Sequence, residues 1–112
     1  LGMTKWIVQT LNIDVDDELN ALPVDIKSRF IRVSLLIEQF GPKNVGMPHI
    51  RSLGKGFWEI RASGRDGIAR GIYIYSSGKR LIVLHVFIKK TQKTPTHALE
   101  IAEKRAKWAN LL

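Results

Sequence analysis

The fold is decided by three consecutive runs, Phe57-Trp-Glu-Ile-Arg61, Ile68-Ala-Arg-Gly-Ile-Tyr-Ile-Tyr75 and Arg80-Leu-Ile-Val-Leu-His-Val-Phe-Ile-Lys89. Each is rich in β-branched and aromatic residues, and Gly- and Ser-containing turns separate them. That pattern predicts an antiparallel three-stranded meander. The last run continues into Lys90-Thr-Gln-Lys93-Thr-Pro95, where Lys89, Lys90 and Lys93 stand with no carboxylate among them, while Lys79 and Arg80 open the same strand. A sheet that presents Arg and Lys at one end is a candidate phosphate-binding surface.

Alternation along each strand assigns the faces. Trp58, Ile60 and Ala62 share one face of the first run, and Phe57, Glu59 and Arg61 the other. In the last run Ile82, Leu84, Val86 and Ile88 are uniformly apolar and are expected to meet the helices, which leaves Leu81, Val83, His85, Phe87 and Lys89 on a mixed, partly open side. The middle run is ambiguous. Arg70 has the parity of Ile68, Ile72 and Ile74, so it points inward unless a bulge near Gly71 re-aims it or it lies at the strand end.

Working outward, Lys5 to Leu11 reads as a first strand, followed by a short helix over Val15 to Ala21 with capping residues Asn12 and Asp14. Asp16, Asp17 and Glu18 fall in its first turn, where the helix dipole favours anions, and are read as dipole partners rather than as a catalytic pair. Pro23 suits the start of a second helix, and Ile26, Phe30, Val33 and Ile37 form a single apolar stripe along it. Gly41 and Pro42 stop that helix. The two helices are expected to form a hairpin lying on the sheet. Gly41 to Gly56 reads as a connection, and Gly54-Lys-Gly56 as a turn, because no helix follows it as a phosphate loop requires. After Thr94-Pro95, residues Ala98, Ile101, Ala102, Arg105, Trp108 and Ala109 suggest a C-terminal helix with a narrow, small-residue face.

The 112 residues are enough for one domain, and Leu1-Gly2 ahead of Met3 reads as a cloning remnant. Eighteen basic residues against ten acidic give a net charge of +8. That excess favours a polyanionic partner, and six of the acids lie in the first helical region, so the sheet and its tail are more basic still. With no cysteine, thiolate metal sites and disulfides are excluded. No apolar run approaches a membrane span, and the expected compartment is the cytoplasm. Neither a metal-ligand cluster nor a known hydrolase or nucleotide motif is present, so no metal and no small-molecule cofactor are expected. Among the histidines His85 stands out, placed as either a satisfied half-buried residue or an acid/base or substrate-contacting group. Arg61 and the lysines suit phosphate contact. Tyr73 and Tyr75 are either sheet-packing aromatics or groups that stack on a base or shuttle a proton.

The segments Trp58-Glu-Ile-Arg61, Gly64-Arg-Asp-Gly-Ile-Ala-Arg70 and above all His85-Val-Phe-Ile-Lys-Lys-Thr-Gln-Lys-Thr-Pro95 resemble the phage-derived branch of the RelE/HigB-like toxins of bacterial toxin–antitoxin systems. The resemblance spans residues 3–112 as a single RelE-like toxin domain. It implies an α+β fold, a twisted, mainly antiparallel sheet with an N-terminal helical hairpin and a C-terminal helix. It further implies a metal-independent endoribonuclease that cuts mRNA on the translating ribosome, with a helix-turn-helix antitoxin as partner. By that resemblance Arg61, Arg70, His85, Lys89 and Lys90 are catalytic candidates and Lys93 an RNA-binding one; Lys79, Arg80, Tyr73 and Tyr75 join the RNA-binding candidates on their own charge and aromatic character. Two rival readings remain. One is a toxin of the same fold that poisons a protein such as gyrase, and the other is a non-catalytic RNA-binding module.

Overall fold

The computed structural model describes residues 5–89 and 94–112. A five-stranded sheet has the order β1-β5-β4-β3-β2, built from β1 (Ile7–Thr10), β2 (Ile50–Gly54), β3 (Phe57–Gly64), β4 (Gly67–Ser76) and β5 (Arg80–Lys89). The meander β3-β4-β5 is antiparallel as expected, β2 extends it antiparallel on one side, and β1 adds a parallel edge on the other. Helices α1 (Ile13–Asn20), α2 (Val24–Phe40), α3 (Pro42–Val45) and α4 (Thr96–Trp108) complete the chain. No described helix is long and apolar enough to cross a membrane.

Local chemistry explains the helix ends. The Asn12 side chain accepts from the Val15 N–H at 3.2 Å and caps α1. Pro23 precedes α2, and Gly41, at φ 83°, ends it. The four residues of the expected α2 stripe, Ile26, Phe30, Val33 and Ile37, are all buried, against Ile60, Ala62, Ala69, Tyr73 and Val83. Burying each such side chain contributes about 1.5–3 kcal/mol, so this face is the main core. The two N-terminal helices follow a strand, and each is seated on the sheet at its own place, α1 against β5 and β1, α2 chiefly against β3.

The second face is covered too. On it α4 lays Ala98, Ala102 and Ala106 over Phe57, Ile72, Ile74, Ile82 and Leu84. The expected small-residue face is therefore present, but Trp108 is not part of it and is 83% exposed.

Cover on both sides corrects the face assignment of β5. Tyr73 pairs with Val83 while Ile72 pairs with His85, which leaves Leu84 as the extra residue of a β-bulge. Leu81 and Val83 before the bulge, and Val86 after it, face α2, whereas Ile82 and Leu84 face α4. The apolar series Ile82, Leu84, Val86 and Ile88 is thus divided between the two faces. The bulge lies on β5 and not near Gly71, so Arg70 keeps the parity of the isoleucines and points inward on the α4 side. The segment read as a plain connection also holds two short elements, α3 and β2, while Gly54-Lys-Gly56 is the turn between β2 and β3.

Gly71 marks one of the close approaches of α2 to the sheet. A Cβ built there would lie 2.5 Å from the Phe30 ring. Gly71→Ala is expected to destabilise the protein by about 1–3 kcal/mol through overpacking, read by urea denaturation. An unchanged midpoint would show that Phe30 moves aside at no cost.

Candidate functional site: an arginine row on the sheet

Cross-strand register sets the site. Arg61 on β3 is paired with Arg70 on β4, and Arg70 in turn with Phe87 on β5. The next row toward the sheet's centre is Glu59, Ile72 and His85, and the row on the other side is Ser63, Ile68 and Lys89. Arg61, Arg70 and Lys89 therefore share one end of the face whose other half lies under α4.

Glu59 holds this end together. Glu59 and Arg70 are both fully buried. The Arg61 Nε lies 3.3 Å from one Glu59 carboxylate oxygen, and the Thr94 hydroxyl donates to the other at 2.6 Å. Arg70 Nη1 in turn donates to Thr94 Oγ1 at 3.2 Å. Burial lowers the pKa of the Arg70 guanidinium, the Glu59 carboxylate opposes that shift, and Arg61 and Arg51 add to it. An arginine remains charged at any physiological pH even so. One carboxylate facing two guanidiniums leaves a surplus positive charge, and Arg61, its side chain 12% exposed, carries it to the rim. Such a site is suited to an anion.

His85 belongs to an adjoining cluster. Its Nδ1 is 3.0 Å from both oxygens of Glu18, its ring stacks on Phe87 with centroids 5.1 Å apart, and Arg105 of α4 pairs with the same carboxylate through two nitrogens at 3.0 Å. Glu18 also accepts from the Val86 N–H at 3.0 Å. Because β1 covers β5 only from Arg80 to Val83, this carboxylate occupies the open strand edge beyond β1. Its role as a simple dipole partner of α1 is thereby superseded. Burial raises the pKa of the Glu18 carboxyl, but hydrogen bonds from Arg105, Val86 and His85, with the charge of His85, outweigh it and hold the group below the usual 4.5.

The remaining candidates lie elsewhere. Tyr73 is fully buried on the α2 face, and burial followed by the proximity of Tyr75 raises its phenol pKa far above the usual 10.0. A stacking role for Tyr73 is thus excluded by its placement, because no base can reach the ring. Tyr75 is 39% exposed and packs edge-on against Trp6, Trp58 and Tyr73, also on that face. Lys79, with its Nζ 5.8 Å from the Trp6 ring centroid, and Arg80, bonded to the Ser77 carbonyl, lie at the start of β5, roughly 30 Å along the strand from Lys89. Lys90 and Lys93 lie outside the described residues. Glu59, Thr94, Glu18 and Arg105 were not among the candidates. Only Glu59 carried a signal, as a single acid with the parity of Arg61 inside a basic segment.

Comparison with known proteins defines the class first. The fold matches that of a chain in the crystal structure of the archaeal RelE–RelB complex from Pyrococcus horikoshii OT3, with a TM-score of 0.54 and 24% identity, over 77% of this chain and 96% of that one. No curated protein matches the sequence. The chain belongs to the family described as Phage derived protein Gp49-like (DUF891), whose model matches residues 17–107. The family match bears out the phage-derived family expected from the sequence, and the structural match bears out its RelE-like fold.

Glu18 gives a pH-dependent prediction. Its carboxyl titrates lower in the folded than in the unfolded protein, so its stabilisation is present above about pH 4.5 and is lost as pH falls through the folded value. Glu18→Gln should cost roughly 1–3 kcal/mol at pH 7, with the two proteins converging in acid. Urea denaturation measured from pH 7 to pH 3 checks this, and a constant difference across the range would refute it.

Proposed function

We propose that the protein is the toxin of a type II toxin–antitoxin pair and that it cleaves mRNA on the translating ribosome, with the Arg61–Arg70–Lys89 end of the sheet as its active site. The observation that carries the proposal is the surplus positive charge held on adjacent strands around the buried Glu59 carboxylate. A metal-free ribonuclease needs little more than placed charges and proton carriers. The ribose 2′-oxygen attacks the adjacent phosphorus, a 2′,3′-cyclic phosphate forms, and the 5′-oxygen leaves with a proton. Negative charge builds on the phosphoryl oxygens, where fixed guanidinium donors lower the barrier most.

In this reading Arg61 takes the phosphoryl oxygens from the rim. Arg70 fixes Glu59 and Thr94 beneath it and adds to the local potential. Lys89, in the adjoining row, contacts the phosphate and is a candidate base, and Lys90 and Lys93, which follow it in the sequence, are further candidate phosphate contacts. His85 is the candidate acid. With its Nδ1–H donated to Glu18, the ring leaves Nε2 to exchange a proton. A cytoplasmic helix-turn-helix antitoxin would neutralise the toxin by covering this basic end. The antitoxin reading draws on the likeness to a chain solved in a RelE–RelB complex.

Expression of Arg61→Ala together with Lys89→Ala is expected to abolish growth arrest and RNA cleavage in a translating extract. Because Arg61→Ala removes a partner of buried Glu59, Lys89→Ala alone is the companion variant. It leaves that pair intact and should slow cleavage at least about tenfold, the effect of one charged transition-state contact. A folded double variant that still cuts RNA would refute the site.

A further inference from the structure

A cleft of about 560 Å³ opens between α2 and the edge of β3, with Arg29, Arg32, Arg61 and His49 around it and Leu36 and Pro48 in its wall. Its volume is in the range of small-molecule sites. The cleft exists because β2 stops short. The last bond across that edge runs from the Arg61 N–H to the His49 carbonyl at 2.8 Å, and β2–β3 pairing ends at Ile50 and Ile60. Antiparallel alternation turns the N–H and C=O of Ser63 to the same open side. Arg29 Nη1 donates to that carbonyl at 2.8 Å, which pins the guanidinium against the strand edge. Among the described residues neither Arg29 nor Arg32 forms an ion pair.

We propose that this cleft is a nucleotide-binding subsite, in which Arg29, Arg32 and the Ser63 N–H hold a phosphate and the base lies against Leu36 and Pro48. Three features single out this ligand class. Two guanidiniums without carboxylate partners, three residues apart on α2 and so on one helix face, form a fork suited to phosphate oxygens. The apolar wall gives a flat ring a desolvated surface, which inorganic phosphate does not need. Arg61 borders both this cleft and the arginine row, so a nucleotide seated here would be next to the phosphate that Arg61 takes. The ligand is then a residue of the bound RNA, an assignment that rests on the nuclease reading, or a free nucleotide, which does not depend on it.

The test uses the purified full chain, with a fluorescein-labelled 2′-O-methyl trinucleotide that cannot undergo 2′-oxygen attack. Competition by adenosine monophosphate and by inorganic phosphate is measured by anisotropy. Arg32 is exposed, so Arg32→Ala should fold normally. It should weaken trinucleotide binding about tenfold, the scale of one charge-assisted contact. Lys104→Ala, an exposed cation on α4, controls for general charge loss and should change binding less than about twofold. Adenosine monophosphate should compete in the parent protein, and far less well in Arg32→Ala. Equal losses in the two variants, or competition by inorganic phosphate as strong as by the nucleotide, would overturn the proposal. Arg32-dependent nucleotide binding in a chain that cuts no RNA would uphold the subsite, assign it to free nucleotides and defeat the nuclease reading alone.

Discussion

A carboxyl group with no solvent exposure must be met by hydrogen-bond donors or cations, and Glu59 is such a group. Its partners are recruited from β3, β4 and the start of the α4 segment, through Arg61, Arg70 and Thr94. Removing any one of them leaves charge buried with less compensation, so the cluster fixes both the register of two strands and the entry to α4. The same requirement concentrates positive charge at one end of the sheet. Stability and candidate function therefore draw on the same atoms. In this RelE-like chain of the Gp49-like family, a site tuned for anions is a consequence of how the sheet satisfies one acid.

A second carboxylate has a comparable role at the opposite edge. Glu18 supplies an acceptor to the Val86 N–H where β1 no longer runs, orients His85 and receives the Arg105 fork from α4. It thereby ties α1, the bulged part of β5 and α4 together. The Leu84 bulge is what allows this, since it shifts His85, Phe87 and Lys89 onto the α4 face with Arg70 while Leu81 and Val83 stay in the α2 core. Without it, Arg70 and Lys89 would project from opposite sides of the sheet.

The parts legible in the sequence are those with one-sided physics. The α2 stripe was readable because that helix buries a single face, and the meander because turn residues mark its corners. The α+β class and the antiparallel character followed. Face assignment in β5 was not readable, since helices cover both sides and both parities are apolar. The bulge sits at Leu84 within Val83-Leu-His85, with no glycine or proline to mark it. Strand β2, Ile50-Arg-Ser-Leu-Gly54, is mostly exposed and is held as a strand by pairing with β3, not by its own pattern. At the candidate site, Arg61, Arg70 and Lys89 are proposed from charge and family resemblance. Their organisers were not readable in the sequence, because Glu18 and His85 are 67 residues apart and Glu59 and Thr94 are 35 apart.

The central claim is that this basic sheet end acts on translated RNA. Primer extension on abundant mRNAs after induced expression in a bacterial host tests it most directly. The account predicts growth arrest accompanied by new 5′ ends inside translated codons and none in untranslated regions. Arrest with intact messages would contradict it and point to a protein target for the same fold.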